Sequence, residues 1–319
     1  MKILVTGGAG FIGSHLVERL LKLGHEVSVL DDLSTGSRKN LENISDKNAL
    51  ELIEGSILNR ELVSKLVANN DYVFHLAAAV GVFNIVQKPL QSLHINLTGT
   101  ENVLSSADKF SVPVLIASSS EIYGKNTSDS LSENSDRILG NPLTLRWSYS
   151  EAKAIDESLA FAYHVEKSLE IRIARFFNTV GPRQVGAYGM VVPRFVSSAL
   201  ENSPITIYGN GEQSRCFIHV EDAIDALIGI AFSKETIGRA INIGNSTEIS
   251  ILKLAQFIKS RLKSTSEIVF LDYQEAYGSG FEDMQRRVPD IGLITQLIGW
   301  EPNLTLENIV DDIAKALKR

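Results

Sequence analysis

The stretch VTGGAGFIGSH, residues 5–15, decides the fold, because it joins a short apolar strand to an amphipathic helix through a glycine-rich turn. Gly8, Gly10 and Gly13 satisfy the pattern G-x-G-x-x-G, and Gly7 begins the overlapping pattern G-x-x-G-x-x-G. Glycine at these positions permits a tight turn, close approach of the backbone to a pyrophosphate, and close packing of helix on strand. The helix N-terminus presents N–H groups and the positive end of its dipole to an anion. The stretch therefore predicts a dinucleotide-binding site.

The second apolar run, EVSVLD (26–31), supports this prediction because it ends on an acid. Asp31 lies about 20 residues beyond the glycines, where a carboxylate accepts hydrogen bonds from the ribose hydroxyls of an adenine dinucleotide. A carboxylate there repels a 2′-phosphate, so the sequence predicts NAD rather than NADP as the cofactor. The alternative for Asp31 is an aspartate that only caps a helix or a turn.

Short runs rich in valine, isoleucine and leucine recur along the chain, with helix-length segments between them. The runs are apolar without strict alternation, as expected of parallel strands buried on both faces. The segments between them show helical spacing, for example at Leu16, Leu20 and Leu23. This alternation predicts an α/β fold, a Rossmann-type doubly wound parallel sheet. The expected strands are residues 2–7, 26–31, 49–55, 71–77, 112–119, 169–177 and 240–244.

The pattern of alternating strands and helices changes after about residue 180, where Gly-rich loops and turn signals surround short strands. We therefore expect an NAD-binding domain over residues 1–179, to which the strand at 240–244 returns. Residues 180–319 are expected to form mainly a smaller C-terminal substrate-binding lobe. The last helix is expected at TLENIVDDIAKALK, residues 305–318.

The composition restricts the class of protein. The 319 residues are 44% hydrophobic and 22% charged, with a net charge of −7, which argues against nucleic-acid binding because that needs a basic face. No apolar run reaches about 18 residues, so no membrane span is expected. Cys216 is the only cysteine, and the N-terminus lacks a signal-peptide pattern. These features predict a soluble, cytoplasmic protein.

No metal site is predicted. His75 lies inside an apolar strand and is expected to be a packed core histidine. His94 and His219 fall at expected helix starts without the spacing of metal ligands. Cys216 is expected to be a small buried residue near the second lobe.

Two further segments supply a candidate chemical site. WSYSEAK (147–153) places Tyr149 and Lys153 at i and i+4, on one face of a helix. A nearby lysine cation stabilises a phenolate and lowers the pKa of tyrosine from its ordinary value of about 10. The pair could then take a proton from a sugar hydroxyl while hydride passes to NAD. In ASSSEIYG (117–124), Ser119 ends a strand and could bridge the substrate hydroxyl and the tyrosine.

Together these motifs resemble the extended short-chain dehydrogenase/reductase family, in its group of nucleotide-sugar epimerases, dehydratases and decarboxylases. The resemblance covers essentially the whole chain. It is carried by TGGAGFIG, DDLSTG, FHLAA, NLTGTENVL, SSSEIYG, YSEAK, RFFNTVGPRQ, ITIYGNGEQSRCFIHVEDA and GWEP.

The resemblance implies roles for residues at matching positions. NAD would stay bound and be recycled, giving a transient 4-keto sugar, with Ser119, Tyr149 and Lys153 as the catalytic set. The third strand departs from the family's Gly-Asp ending, because Ser56 follows the glycine. The implied cofactor contacts are Gly7, Gly10, Phe11, Ile12, Gly13, Asp31, Ser56, Ile57, Leu76, Ala77, Ala78, Tyr149 and Lys153. The implied contacts with a nucleotide-sugar substrate are Ser120, Asn178, Val192, Tyr208 and Arg215.

Glu121 bears on which reaction follows oxidation at C4. A 4-epimerase needs no acid beyond the catalytic set, whereas a decarboxylase or a 4,6-dehydratase needs further acid/base groups. UDP-glucuronate decarboxylases and GDP-mannose dehydratases both carry Thr-Ser-Glu at the positions of residues 119–121, so the resemblance favours a decarboxylase or a dehydratase. We treat Glu121 as catalytic and expect a UDP-glucuronate decarboxylase-type reaction first. The alternative for Glu121 is a solvated residue, or one bonded to a nearby backbone amide.

Other reactions stay open. The loop at 79–90 is closer to that of epimerases, and the segment at 186–195 resembles both epimerases and decarboxylases. A UDP-sugar 4-epimerase and an NDP-hexose 4,6-dehydratase are therefore alternatives. A non-catalytic NAD-binding regulator is disfavoured, because Tyr149 and Lys153 are both present.

Two further expectations concern the surface of the protein. Family members commonly form a homodimer through a four-helix bundle, and the matching helices are expected at 91–109 and 147–166. The segment at 277–291 is expected to be a loop over the sugar. Within it, Arg286 or Arg287 would pair with a phosphate or a carboxylate, or else contribute only surface charge.

Overall fold

The fold is known from a computed structural model. It describes residues 1–42, 44, 46–79, 87–186, 190–272 and 284–318. Parts of the segments at 79–90, 186–195 and 277–291 lie outside the described residues, including residues 277–283 of the loop expected over the sugar. None of the helices in the described part combines the length and the apolarity needed to cross a bilayer.

The described strands and helices alternate along the first half of the chain. The strands are β1 (Lys2–Thr6), β2 (Glu26–Asp31), β3 (Leu50–Glu54), β4 (Tyr72–His75), β5 (Val114–Ser119), β6 (Ile171–Phe176), β7 (Thr179–Val180), β8 (Ile205–Tyr208), β9 (Ser214–Cys216), β10 (Ile218–His219), β11 (Ala240–Ile243), β12 (Glu248–Ser250) and β13 (Ile268–Leu271). The helices are α1 (Phe11–Lys22), α2 (Lys39–Glu42), α3 (Arg60–Ala68), α4 (Pro89–Phe110), α5 (Ser148–Lys167), α6 (Val191–Glu201), α7 (Val220–Phe232), α8 (Ile251–Arg261), α9 (Gly292–Ile298) and α10 (Leu306–Leu317). Short 3₁₀ helices include Ser120–Tyr123 and Leu145–Trp147.

Seven parallel strands form the main sheet in the order β11-β6-β5-β4-β1-β2-β3. This confirms the predicted α/β doubly wound fold, and each strand lies where an apolar run was found. The strand order reverses between β1 and β4, which are hydrogen-bonded neighbours. In such sheets the crevice at the carboxyl ends of the reversing strands is where ligands bind.

The sheet is buried on both faces because neighbouring residues of each strand enter different cores. Ile3 and Val5 of β1 belong to a cluster covered by α1, α7 and α9, whereas Leu4 belongs to a cluster covered by α3, α4 and α5. A third cluster lies outside the sheet and joins α6, α8 and α10, for example through Phe195, Leu254 and Ile309. The expected last helix is therefore present as α10 and packs in this third cluster.

A buried polar network fixes the carboxyl ends of β5, β6 and β11 behind the crevice. Arg175 of β6 donates to both carboxylate oxygens of Glu157 on α5, at 2.9 Å from Nε to Oε1 and 2.7 Å from Nη2 to Oε2. Ser118 of β5 donates to the same carboxylate. Arg175 also donates to the Tyr123 hydroxyl, which in turn donates to Asn242 of β11 at 2.8 Å. A buried ion pair with this many partners holds α5 in place against the strand ends.

Candidate active site

A cavity of about 660 Å³ runs from the glycine-rich turn to the second lobe. Its volume is within the range of small-molecule and cofactor sites. All the implied cofactor contacts except Ser56 line it, and so do the catalytic set, Glu121 and all the implied substrate contacts except Val192. The sequence therefore predicted most of one continuous site.

The two exceptions have simple geometric reasons. The Ser56 hydroxyl accepts a hydrogen bond from Leu58 N at 3.2 Å, inside the turn after β3, while Ile57 reaches the cavity. Val192 is fully buried in the third cluster, and its neighbour Val191 lines the cavity instead. Successive side chains on a helix point about 100° apart, so only one of the two valines can face the ligand. The assignments of Ser56 and Val192 to the ligands stay predictions, and the cavity lining favours Ile57 and Val191.

The glycine-rich turn is closely packed. Gly7 has φ +71°, and a Cβ there would lie 2.8 Å from Ala77 N. A Cβ on Gly13 would lie 2.1 Å from the Gly7 carbonyl oxygen. Only glycine satisfies both constraints, and the backbone at the start of α1 is therefore open to the cavity for a pyrophosphate.

Asp31 lies at the end of β2 and is buried. Its Oδ2 accepts a hydrogen bond from Ala9 N at 2.9 Å, and its Oδ1 accepts one from Leu33 N at 2.8 Å. Burial raises the pKa of this carboxyl, while the two backbone donors lower it. The carboxylate thus braces the glycine-rich turn and still lines the cavity, so it combines the turn role with a position suited to a ribose.

Ser119 and Tyr149 meet at the cavity wall. The Tyr149 hydroxyl lies close to Ser119, whose Oγ accepts from Glu121 N at 3.2 Å. Burial raises the pKa of Tyr149, the carboxylates of Glu121 and Asp156 raise it further, and the nearby Ser119 hydroxyl lowers it. Without a ligand, Tyr149 is therefore a phenol at neutral pH.

Lys153 lies one turn from Tyr149 and is 3% exposed. Its Nζ donates to Ala117 O at 3.0 Å and to Asp156 Oδ2 at 3.2 Å. The sequence predicted that this ammonium serves Tyr149. The structure shows that it also forms an ion pair with a buried acid.

The surroundings of Glu121 were not expected from the sequence, which suggested either a proton-transfer group or a residue bonded to water or to a backbone amide. Its Oε2 lies 2.6 Å from Arg146 Nη1, and its Oε1 accepts from Arg287 Nη1 at 2.8 Å. Burial alone would raise the pKa of this carboxyl, but the charges of Arg287 and Arg146 outweigh burial and hold the pKa at about 2. A carboxylate with this pKa is a poor acid and a poor base near neutrality. In this structure Glu121 anchors two arginines, and its catalytic role stays a prediction.

The implied substrate contacts in the second part of the chain lie at the far end of the cavity. Asn178 Nδ2 donates to Cys216 O at 2.8 Å, and Arg215 Nη1 donates to Ser214 O at 2.8 Å. The Arg194 guanidinium lies 4.3 Å from the centroid of the Tyr208 ring. These contacts orient a polar, partly aromatic wall suited to a nucleotide.

The histidines and the cysteine have structural positions. His75 is 2% exposed and its pKa is lowered to about 3, chiefly by burial, which agrees with a packed core histidine. His219 accepts from Glu221 N at the start of α7, and His94 contacts Thr98 on α4. Cys216 is 1% exposed, and burial raises the pKa of its thiol to about 12.

The sequence analysis did not identify Arg146 as a site residue. It named Arg286 and Arg287 as alternatives for pairing with an anion and did not choose between them. The Arg286 side chain is 40% exposed and pairs with Glu248 at 2.9 Å, whereas that of Arg287 is 7% exposed and donates to Ser120 Oγ at 3.1 Å. Arg146 lies three residues before Tyr149, in a 3₁₀ turn that carries no recognised local signal. Both buried arginines line the cavity.

Comparison with known proteins bears on the same site. Residues 3–244 match the NAD dependent epimerase/dehydratase family. The chain belongs to this family. It is 39% identical to a UDP-N-acetyl-alpha-D-glucosaminuronate decarboxylase of Bacillus cytotoxicus, over 96% of this chain and 94% of that protein. It is 38% identical to UDP-glucuronic acid decarboxylase 1 of Xenopus tropicalis, over 96% of this chain and 69% of that protein.

A solved structure in the family has the same fold. UDP-glucuronic acid 4-epimerase from Bacillus cereus, in complex with UDP-glucuronic acid and NAD, superimposes with a TM-score of 0.89 at 29% identity. The superposition covers 100% of this chain and 99% of the epimerase. The epimerase/dehydratase family uses NAD, and the glycine-rich turn and Asp31 fit that cofactor here. The protein is accordingly an NAD-dependent enzyme.

The close packing at Gly7 predicts a selective loss of NAD binding. Gly7→Ala forces a methyl group against Ala77 N in a left-handed backbone, so we expect NAD affinity to fall at least about tenfold in isothermal titration calorimetry. Gly24→Ala is the matched control, because Gly24 has φ +81° but nothing within 4 Å of the added Cβ. The control should lose about 1 kcal/mol of stability and keep its NAD affinity. Unchanged affinity in Gly7→Ala would contradict this account of the turn.

The low pKa of Glu121 predicts a pH-dependent contribution to stability. A folded-state pKa of about 2 is below the unfolded value, so the ionised carboxylate stabilises the fold above about pH 4.5 and this stabilisation is lost towards pH 2. Glu121→Gln should lower the free energy of unfolding at neutral pH by about 3 kcal/mol and flatten its decline in acid, as measured by urea denaturation. Glu166→Gln, at an exposed position on α5, should behave as wild type. Parallel pH curves for wild type and Glu121→Gln would show that the carboxyl is not held ionised.

Proposed function

We propose that the protein decarboxylates a UDP-activated uronic acid after oxidation at C4, with UDP-glucuronate as the first candidate. The observation that carries this proposal is the position of Arg287 and Ser120 next to the Ser119–Tyr149 pair in one cavity. A uronic acid places a carboxylate on C5, next to the C4 hydroxyl. The cavity thus offers a pair of side chains for a hydroxyl, Ser119 and Tyr149, beside a pair for a carboxylate, Arg287 and Ser120.

Ser119 and Tyr149 would bind the C4 hydroxyl. The Tyr149 oxygen is the proton acceptor, and the Lys153 ammonium favours its ionised form once a ligand fills the site. NAD, held by the glycine-rich turn and Asp31, supplies a reversible acceptor for the hydride of C4. The polar network behind β5 and α5 keeps Ser119 and Tyr149 at a fixed separation while the proton moves.

Arg287 and Ser120 would bind the C5 carboxylate. A sugar with a ketone at C4 is a β-keto acid, so the C5–carboxylate bond breaks with its electron pair moving towards the C4 oxygen and CO₂ leaving. Ser119 and Tyr149 lie where that oxygen becomes negative and would donate hydrogen bonds to it. Because Glu121 is ionised, it has no proton for C5, and its role is to hold Arg287 in position. The enolate would take its C5 proton from water, and Tyr149 would return its proton to the C4 oxygen as the hydride goes back to C4.

Epimerisation at C4 is the second candidate, supported by the likeness to the Bacillus cereus epimerase. That enzyme binds UDP-glucuronic acid, so a carboxylate-binding arginine is compatible with either outcome. The two reactions differ in whether the keto acid keeps or loses its carboxylate.

The test is incubation of the NAD-loaded protein with UDP-glucuronate, UDP-N-acetylglucosaminuronate and UDP-glucose in separate samples. We expect loss of CO₂ from a uronate, detected by mass spectrometry, and no conversion of UDP-glucose. Arg287→Gln should lower the decarboxylation rate by about 100-fold, because the carboxylate loses its cation. Arg286→Gln is the matched control, and its rate should stay within about twofold of wild type.

Other products would replace the proposal. An unchanged mass with a new retention time on a uronate indicates a 4-epimerase, and loss of water from UDP-glucose indicates a dehydratase. Equal decarboxylation rates in Arg287→Gln and wild type would show that Arg287 does not bind the substrate carboxylate.

A homodimer through a four-helix bundle is also proposed, with α4 and α5 of each copy at the interface. The two helices pack side by side. On α5, Phe161 and Val165 lie one turn apart and are 50% and 64% exposed, which leaves an apolar face open to a second copy. Leu90 on α4 is 81% exposed.

The dimer is tested by the mass in solution. Phe161→Glu should convert a dimer into a monomer in light scattering, because a charge would be buried at the contact. Phe270→Glu, at a 55% exposed position on β13, is the matched control and should stay dimeric. A monomeric wild type, or a dimeric Phe161→Glu variant, would exclude this interface.

The predicted cytoplasmic location also remains a proposal. It is compatible with the single cysteine of the sequence, Cys216, which leaves no internal disulfide to form. Fractionation of the source cells with an antibody would test it, and recovery outside the cytoplasm would overturn it.

A further inference from the structure

Asp156 is a buried acid that the proposed reaction does not use. It lies on α5 and is 1% exposed. Tyr149, Lys153 and Asp156 follow one another at i, i+4 and i+7, so they lie along one face of the helix. Asp156 Oδ2 accepts from Lys153 Nζ at 3.2 Å. The Lys153 ammonium, which should assist Tyr149, is therefore also paired with the Asp156 carboxylate, one helical turn further along α5.

A chain of hydrogen bonds runs from the glycine-rich turn towards Asp156. Thr6, the residue before Gly7, accepts from Ala77 N at 3.2 Å, and its hydroxyl contacts His75 Nδ1 at 2.8 Å. His75 Nε2 contacts the Thr100 hydroxyl at 3.1 Å. The chain crosses β1 and β4 and ends at Thr100 on α4. Thr100 lies near the Asp156 carboxylate and lowers its pKa, whereas Asp156 Oδ1 is buried without a hydrogen bond from the described residues.

The direction of the chain follows from its two ends. A carboxylate only accepts, so with Asp156 on its other side the Thr100 hydroxyl turns its hydrogen towards the acid and accepts from His75 Nε2–H. His75 Nδ1 then accepts from the Thr6 hydroxyl, which already accepts from Ala77 N. This requires a neutral imidazole, and the pKa of His75, lowered to about 3 chiefly by burial, provides one at any working pH.

We propose that Asp156 is a positioning residue for Lys153, and that its carboxylate, 3.2 Å from the ammonium, fixes Lys153 and limits how much positive charge acts on Tyr149. Of the three ammonium donors, one is directed to Ala117 O and one to Asp156, so the third can point along the helix towards Tyr149 and the ligand. This inference rests on the proposed roles of Tyr149 and Lys153, and not on which reaction follows oxidation.

Several other charges act on the same face of α5. Glu121 acts on Tyr149 and is itself paired, and Glu157 is neutralised by Arg175. The net effect of Asp156 is therefore to oppose ionisation of Tyr149. The titratable and charged groups around this face are Tyr149, Lys153, Asp156 and Glu157 on α5, Glu121 and Arg146 on the 3₁₀ turns, Arg175 on β6, and His75 on β4.

The size of the effect follows from the geometry. Seven residues of helix separate Tyr149 from Asp156 by about 10 Å along the axis. At that separation, a unit charge in an environment of effective dielectric constant near 20 shifts a pKa by about one unit. Removing the Asp156 charge should therefore lower the pKa of Tyr149 by about one unit.

The first test is Asp156→Asn, which keeps the shape of the side chain and removes its charge. We expect the acidic limb of the kcat/KM profile to move to lower pH by about one unit, so the rate at acidic pH relative to the plateau rises about tenfold. The same shift should appear without turnover, in the tyrosinate absorbance that wild type shows and Tyr149→Phe lacks. Glu166→Gln removes an exposed charge from the same helix and should leave both readouts unchanged.

If Asp156→Asn does not fold, the variants Thr100→Val and Thr100→Ser test the proposed effect of Asp156 on Tyr149. Thr100→Val removes the hydroxyl without touching a charged residue, so Asp156 becomes easier to protonate and the acidic limb should move in the same direction by a smaller amount. Thr100→Ser keeps the hydroxyl and should match wild type. Superimposable profiles for Thr100→Val, Asp156→Asn and wild type, or a shift to higher pH, would overturn the proposal. A failure to release CO₂ leaves this test intact, because the tyrosinate titration needs no substrate.

Discussion

The carboxylate of Glu121 joins three parts of the chain that meet only in the folded protein. Glu121 follows β5, Arg146 lies just before α5, and Arg287 comes from the C-terminal part of the chain. All three side chains are largely buried, so the loss of one partner would leave a charge without compensation, at a cost of about 3–5 kcal/mol. These ion pairs therefore help to hold the end of β5, the start of α5 and the C-terminal part of the chain together.

The arrangement also sets the charge of the site. Two buried arginines share one carboxylate, and Lys153 is balanced by Asp156, so the charges of these groups sum to one net positive charge beside the hydroxyl-binding pair. An anionic sugar suits such a place better than a neutral one. The decarboxylases at 34–39% identity and the epimerase that binds UDP-glucuronic acid act on sugars of this kind by their names, which agrees with the electrostatics.

The sequence could predict the fold because the relevant information is local. Each strand of the main sheet lies in a run rich in apolar residues, and the turn at Gly7 needs a residue type that is visible in the sequence. Tyr149 and Lys153 lie one helical turn apart and were found in the same way. The sequence gives no guide where the cavity lining depends on which way a side chain points, as at Val191 and Val192.

The charge state of the site was beyond the sequence for a different reason. Arg287 is 166 residues from Glu121, and nothing in the local pattern distinguishes it from Arg286. The ordinary pKa of glutamate suggested a proton-transfer group, whereas burial between two guanidinium groups makes it a fixed anion. The role of Asp156 was equally hidden, because its orienting partners, Thr100 and His75, come from other elements.

The most direct test of this account is the titration of Glu121 itself, by carbon-13 NMR of protein labelled at the glutamate carboxyls and assigned with Glu121→Gln. The account predicts that the Glu121 carboxyl signal does not shift between about pH 4 and pH 8, and that it titrates at higher pH in Arg287→Gln than in wild type. A wild-type signal that titrates near the ordinary glutamate value of about 4.3 would show that the two arginines do not hold the carboxylate ionised. That result would contradict the central claim.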